Sequence, residues 1–170
     1  MSPQTDEERF ILLLREKKNI IYKICNSYCK SSEDRKDLAQ EIIIQLWKSL
    51  HKYNDEYKMS TWVYAIALNV AMRFYRDKKR SKEIFSGTDG LVEIIEDTAL
   101  REEQETKLQL LYQFINKLDE LNKALMILYL DNNSYNEIGK ILGITETNVA
   151  TKINRIKQKM KQQFTTSTQL

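Results

Sequence analysis

Ser134–Phe164, SYNEIGKILGITETNVATKINRIKQKMKQQF, is the stretch on which the fold turns. Ser134 followed three residues later by Glu137 forms a capping box, which opens a helix. A helix-turn-helix then makes three demands: a small residue where the helices cross, a glycine at the turn, and apolar anchors that fix the angle. Gly139 meets the first, Gly143 the second, and Ile138, Leu142, Ile144 and Val149 the third. Val149, Ile153, Ile156 and Met160 keep one face of the second helix inward. Thr147, Asn148, Thr151, Lys152 and Arg155 are left pointing outward, where they suit base edges and phosphates of a major groove. An ordinary helical hairpin also wants a glycine turn and apolar anchors; the ordered match of all these positions is what favours DNA.

About seventy residues upstream lies a second helix suited to DNA, Ser60–Lys82, STWVYAIALNVAMRFYRDKKRSK. Its core stripe is Val63, Ile66, Ala67, Val70 and Phe74. On the opposite face lie Trp62, Asn69, Arg73, Arg76 and Arg80, and Lys78, Lys79 and Lys82 widen the positive end. Arg and Lys grip phosphates, Asn reads a base edge, and Trp62 offers a ring for an unpaired base. The competing reading is a solvated basic face with Trp62 tucked into the core.

Charge divides the chain in the same way. Residues 1–82 carry a net +6, residues 83–131 a net −7 and residues 132–170 a net +4, which together make the modest whole-chain +3. Two basic blocks around an acidic one suit phosphate binding at either end and something other than DNA in the middle.

Composition points to an all-α fold, since there are only 4 Gly and 1 Pro and no sustained period-two alternation. The expected architecture is two small helical domains, 1–82 and 99–170, joined by a flexible acidic linker at 83–98, EIFSGTDGLVEIIEDT, with the helix-turn-helix in the second domain. Domains of that size bury only about 60% of their unfolded surface, so partner binding should stabilise them. No apolar run of eighteen residues and no signal-peptide pattern occurs, so membrane insertion is not expected and the chain belongs in the cytoplasm. Cys25 and Cys29 sit four apart, but His51 is the only histidine, so reduced core thiols are expected rather than a metal site. With no Ser/His/Asp or Cys/His set and no phosphate-binding glycine loop, neither an enzyme nor a cofactor is expected.

Outward from these motifs, Thr5 and Glu8 cap a first helix with Phe10, Leu13, Leu14, Ile21, Ile24 and Tyr28 inside. A second helix, about 34–50, turns Leu38, Ile42, Leu46, Trp47 and Leu50 inward, and the loop HKYNDEYKM leads to Ser60 as N-cap of the third. In the second half, helices near 99–117 and 122–129 precede a DNN turn, and the tail TTSTQL should fray.

In order, DRKDLAQEIIIQLW (34–47), YKMSTWVYAIALNVAMRFYRDKKR (57–80) and NSYNEIGKILGITETNVATKINRIKQKM (133–160) resemble the extracytoplasmic-function group of the sigma-70 family. The resemblance spans both helical units. It implies a dissociable initiation factor that binds core RNA polymerase, through its β′ clamp helices and β flap, and promoter DNA, and that is held idle by an anti-sigma factor. By resemblance Asp37, Gln40, Glu41, Ile44 and Trp47 form the polymerase-docking face. The loop Tyr53–Met59 and the start of the third helix match the element that captures an unstacked −10 base, where Lys58, Ser60, Thr61 and Trp62 fall; Asn69 and Arg73 match −10 readers, with Arg76 and Arg80 along the same strand. Thr147, Asn148, Thr151, Lys152 and Arg155 fall on the −35 reader, and the acidic linker on the segment that threads through polymerase. Ala65 and Ala150 stand where the family often carries a basic residue, and at Ala150 this shifts −35 load onto Lys152 and Arg155.

Two other readings remain open from the residues alone. A free-standing helix-turn-helix regulator would bind duplex DNA without polymerase, usually at a two-fold symmetric site. An interaction protein that sequesters polymerase or nucleic acid would start no transcription.

Overall fold

Thr5 opens helix α1 (Asp6–Tyr28) through a complete capping box: its hydroxyl accepts from the Glu8 N–H and its own N–H donates to the Glu8 carboxylate, both at 3.2 Å. The computed structural model describes residues 3–84 and 106–168, and all regular structure among them is helical. The chain divides into two compact units, Met1–Tyr75 and Arg76–Leu170, with the break inside the third helix.

In the first unit, Ser31 caps helix α2 (Ser32–Ser49), which starts two residues earlier than expected. Arg35 clamps the intervening turn by donating to the Cys29 carbonyl at 3.3 Å and the Lys30 carbonyl at 2.7 Å. Leu38, Ile42 and Leu46 of α2 are fully buried, as α1 and α2 pack together and α1 in turn buries Leu13, Ile20, Ile21, Ile24 and Tyr28. Leu14 and Leu50 are only half-buried, and Trp47 remains 47% exposed with its edge on Phe10 at 5.0 Å. Trp47 is therefore a surface residue with one anchored edge, not a core residue.

A 3-10 turn at Leu50–Lys52 and the 53–58 loop lead to α3 (Met59–Ile84). This helix starts before Ser60, because the Lys58 carbonyl already accepts the Trp62 N–H at 3.1 Å. Ser60 is thus a first-turn residue and not the N-cap. Val63, Tyr64, Ala67, Leu68, Val70 and Ala71 are buried, a wider face than the expected stripe, in which Ile66 and Phe74 turn out half-buried. Tyr28 and Tyr75 meet edge to face at 6.1 Å and tie α3 to α1. Cys25 and Cys29 are free and buried, and burial pushes the Cys25 thiol up to about 11.

Residues 85–105 lie outside the described residues and include most of the expected linker and the expected helix start near Ala99; Glu83 and Ile84 belong to α3. The second unit comprises α4 (Thr106–Asn116), α5 (Glu120–Leu130), α6 (Tyr135–Leu142) and α7 (Glu146–Thr168). Phe114 and Ile115 of α4, Met126 of α5 and Ile156 of α7 share a core, onto which Leu111, Leu118, Tyr129 and Met160 pack. The tail expected to fray is helical as far as Thr168. No helix of the described residues is long and apolar enough to cross a membrane.

Candidate nucleic-acid interface

The turn that aims α7 is fixed by the residues singled out in the sequence. Ser134 and Glu137 form their capping box at 3.1 and 2.9 Å and start α6. Gly143 ends it in the left-handed conformation, φ 70°, which a residue without Cβ adopts at no steric cost. A Cβ on Gly139 would lie 2.7 Å from the Ile144 carbonyl oxygen, so the helices approach through this residue's missing side chain. The Gly139 carbonyl in turn accepts from the Gly143 N–H and, at 3.0 Å, from the Ile144 N–H. Ile138, Val149, Ile153 and Ile156 are buried, while Leu142, Ile144 and Met160 are half-buried.

Thr145 begins α7 by accepting from the Asn148 N–H at 3.1 Å. Thr147, Asn148, Thr151 and Arg155 are exposed and Lys152 is half-buried. At about 100° per residue these five occupy an arc of about 140°, opposite the buried row. Thr151 donates its hydroxyl proton to the Thr147 carbonyl at 3.0 Å, which leaves its oxygen lone pairs to accept from a base amino group. Lys157 is turned away, its ammonium 4.4 Å from the centre of the Tyr129 ring, and its bond to Tyr129 pushes its pKa up.

On α3, Trp62, Asn69, Arg73, Arg76 and Arg80 fall within an arc of about 60°, so the structure assembles them as one row. The last four are exposed and Trp62 is half-buried. Ser60 and Thr61, both half-buried, do not join the row: Ser60 lies about 160° away around the helix. Lys58 is exposed at the end of the loop. Ala65 and Ala150 are half-buried beside their rows, so neither interrupts its row.

Asp37, Gln40, Glu41, Ile44 and Trp47 lie on the outer face of α2, all exposed, with Ile44 at 52%. Acidic and amide groups around two large apolar side chains suit a protein partner better than a phosphate backbone. Glu41, Ile44 and Gln45 line a shallow groove together with Val70 and Arg73 of α3, so the acidic face and the basic row share an edge.

Tyr53 opens the loop that the resemblance matches to −10 capture, and its contacts there were not foreseen from the sequence. Its ring stacks at 5.4 Å on Trp62, tilted by 52°, and its hydroxyl donates to the Tyr57 carbonyl at 2.8 Å. The only available hint was two tyrosines in a short polar loop. Among the described residues no three His, Cys, Asp or Glu side chains gather as a metal site.

Comparison with known proteins agrees with this geometry. Residues 13–81 match the family model for Sigma-70 region 2, and residues 108–160 that for Sigma-70, region 4. The ECF RNA polymerase sigma factor SigW of Bacillus subtilis (strain 168) is 30% identical over 169 residues, covering 94% of this chain and 90% of its own. Among solved structures, CnrH in complex with the cytosolic domain of CnrY is similar with a TM-score of 0.67 at 17% identity, covering 94% of this chain and 90% of that one. The sigma factor RpoE in complex with the anti-sigma factor NepR from Bartonella quintana is similar with a TM-score of 0.63 at 16% identity, covering 92% and 94%. At such identities the two structures speak to the fold alone.

Proposed function

The chain belongs to the sigma-70 family of RNA polymerase sigma factors, in its ECF group, and directs promoter-specific initiation; from that premise we propose how its surfaces divide the work. The first unit, taken as residues 1–82, docks on core polymerase and holds the opened −10 strand. The second, taken as residues 99–170, reads the −35 duplex, and the acidic segment 83–98 between them joins the two. The observation that carries this reading is that Asn69 and Arg73 are exposed on α3 in the first unit and Thr147, Asn148, Thr151 and Arg155 on α7 in the second, so one chain offers two DNA faces.

On α2, Asp37, Gln40, Glu41, Ile44 and Trp47 meet the β′ clamp helices, with Ile44 and Trp47 as apolar anchors. In the second unit, Leu130 is 49% exposed beside a depression lined by Tyr129, Asn132 and Ser134, an apolar foothold for the β flap. Asn69 reads a −10 base edge, Arg73, Arg76 and Arg80 hold phosphates, and Lys58 and Trp62 border the captured base, with Ser60 and Thr61 in support. Thr147, Asn148, Thr151, Lys152 and Arg155 face the −35 major groove. The factor acts in the cytoplasm, carries out no chemistry of its own, and is held idle by an anti-sigma partner; the similar sigma factor RpoE of Bartonella quintana was solved in complex with the anti-sigma factor NepR.

The deciding experiment is size-exclusion chromatography of the chain with bacterial core RNA polymerase in roughly 0.3 M salt, where the Debye length is below about 8 Å and purely electrostatic association is weak. Comigration is expected. Clean separation, with the chain alone still binding a specific duplex, would transfer the case to a free-standing regulator. Within the assembled holoenzyme, Lys152→Ala with Arg155→Ala should weaken −35 binding by about 1–3 kcal/mol per lost base contact. Titration against duplex promoter at several salt concentrations checks this, and an unchanged affinity and salt slope would move the −35 reader elsewhere.

A further inference from the structure

One cation of the basic row already has an anion on it. On α3, Arg76 places its Nε 3.3 Å from Oε1 of Glu120, the first residue of α5, and both residues belong to the second compact unit. The Arg76 side chain remains 57% exposed and that of Glu120 29%, so the pair is a surface contact that solvent and salt reach. Arg76 lies on one row with Asn69, Arg73 and Arg80, within an arc of about 60°. The carboxylate that meets it therefore stands at the face the row offers to DNA.

The start of α5 keeps that carboxylate in place. Asp119 caps the helix, accepting from the Asn122 N–H at 2.9 Å and from the Asn122 side-chain amide at 3.1 Å. Glu120 follows at the positive end of the helix dipole, where an anion is stabilised whether or not a cation faces it. Releasing Arg76 therefore costs Glu120 little, and the contact is reversible. Arginine grips carboxylate and phosphate oxygens with the same planar fork, so the two compete for one guanidinium. A strand phosphate brought to Arg76 meets the Glu120 charge as well, and like charges at that range repel.

We propose that Glu120 is an autoinhibitory latch: its carboxylate occupies Arg76 and holds down the affinity of the chain for single-stranded DNA until a strand phosphate displaces it. The proposal rests on the assignment of Arg76 to phosphate made above for α3, and the test separates the two.

The probe is a fluorescein-labelled single-stranded oligothymidine, titrated at low salt with the whole chain in the absence of polymerase. Glu120→Gln keeps the size of the side chain and removes its charge. It should bind about threefold more tightly than wild type, the size of one exposed ion pair. The gain should shrink as salt rises. In an Arg76→Ala background Glu120→Gln should change nothing, because the cation it guards is gone. Glu16→Gln, which neutralises an exposed carboxylate of α1, controls for net charge and should give no comparable gain. Unchanged affinity in Glu120→Gln overturns the latch, as does a gain that survives in Arg76→Ala or is matched by Glu16→Gln. With Glu120 neutralised, Arg76→Ala should bind more weakly. Undiminished binding there removes Arg76 from the phosphate row and takes this proposal with it, whereas a loss there without any gain in Glu120→Gln alone sinks the latch and leaves the row standing.

Discussion

Holoenzyme carrying Asn69→Ala together with Arg73→Ala is expected to bind core polymerase normally and to fail at open-complex formation. Both side chains are exposed, four residues apart in one row of α3, so truncating them leaves the core untouched. Substitutions at such positions usually change stability by no more than about 0.5 kcal/mol. Asn offers a donor and an acceptor to one base edge, and Arg offers its guanidinium to a phosphate. At about 1–3 kcal/mol for each good contact, losing both costs a factor of about 30 or more. Strand opening balances paired against captured bases, so a loss of that size is felt directly as missing open complex. Permanganate reactivity of unpaired thymines measures it, with size-exclusion comigration as the control. Loss of polymerase binding in the double variant would remove α3 from the −10 assignment.

The second large effect concerns the two glycines of the helix-turn-helix, which differ in kind. Gly143→Ala meets no atom within 4 Å and suffers only its positive φ, a cost of about 1 kcal/mol. Gly139→Ala places a Cβ 2.7 Å from the Ile144 carbonyl oxygen, which belongs to the backbone of the turn. That turn is itself bonded back to Gly139 through the N–H groups of Gly143 and Ile144, so relief requires moving α7. Overpacking of this kind costs about 3 kcal/mol. Gly139→Ala should therefore destabilise the second unit severely and erase the −35 footprint, whereas Gly143→Ala keeps it. Comigration with polymerase should survive in both, because the first unit folds around its own core. Urea unfolding of the whole chain, followed by DNase protection, distinguishes the pair; equal effects of the two substitutions would refute the close approach.

Features set by neighbours in sequence were legible in advance. The capping boxes at Thr5 and Ser134, the Gly143 turn and the inward row of α7 each depend on residues within a few positions. What the sequence hid depends on distant packing. α3 buries Tyr64, Leu68 and Ala71 as well as the expected stripe, because its inner face meets more than one neighbour and a narrow periodic stripe underestimates that arc. Trp47 is grouped by the sequence with the inward residues Leu38, Ile42, Leu46 and Leu50; α2 turns it out, in edge-to-face contact with Phe10. Ser60 has the chemistry of an N-cap, yet the Lys58 carbonyl starts the helix earlier. The α3 row was legible as a set, with Ser60 and Thr61 lying off it. The ring contact of Tyr53 with Trp62 and its bond to the Tyr57 carbonyl were hidden because both depend on the folded path of the loop.

The buried thiols of the first unit can serve as a clock. With Cys25 pushed up to about 11, its ionised fraction near neutral pH is on the order of one in a thousand or less, and both sulfurs are buried. Reaction with a thiol reagent must then wait for the α1–α2 hairpin to open. The labelling rate of Cys25 and Cys29, divided by that of an exposed thiol, reads out how often this hairpin breathes. Polymerase clamped on the outer face of α2 would slow that clock by the amount it holds the hairpin shut, so docking could be timed with no added label.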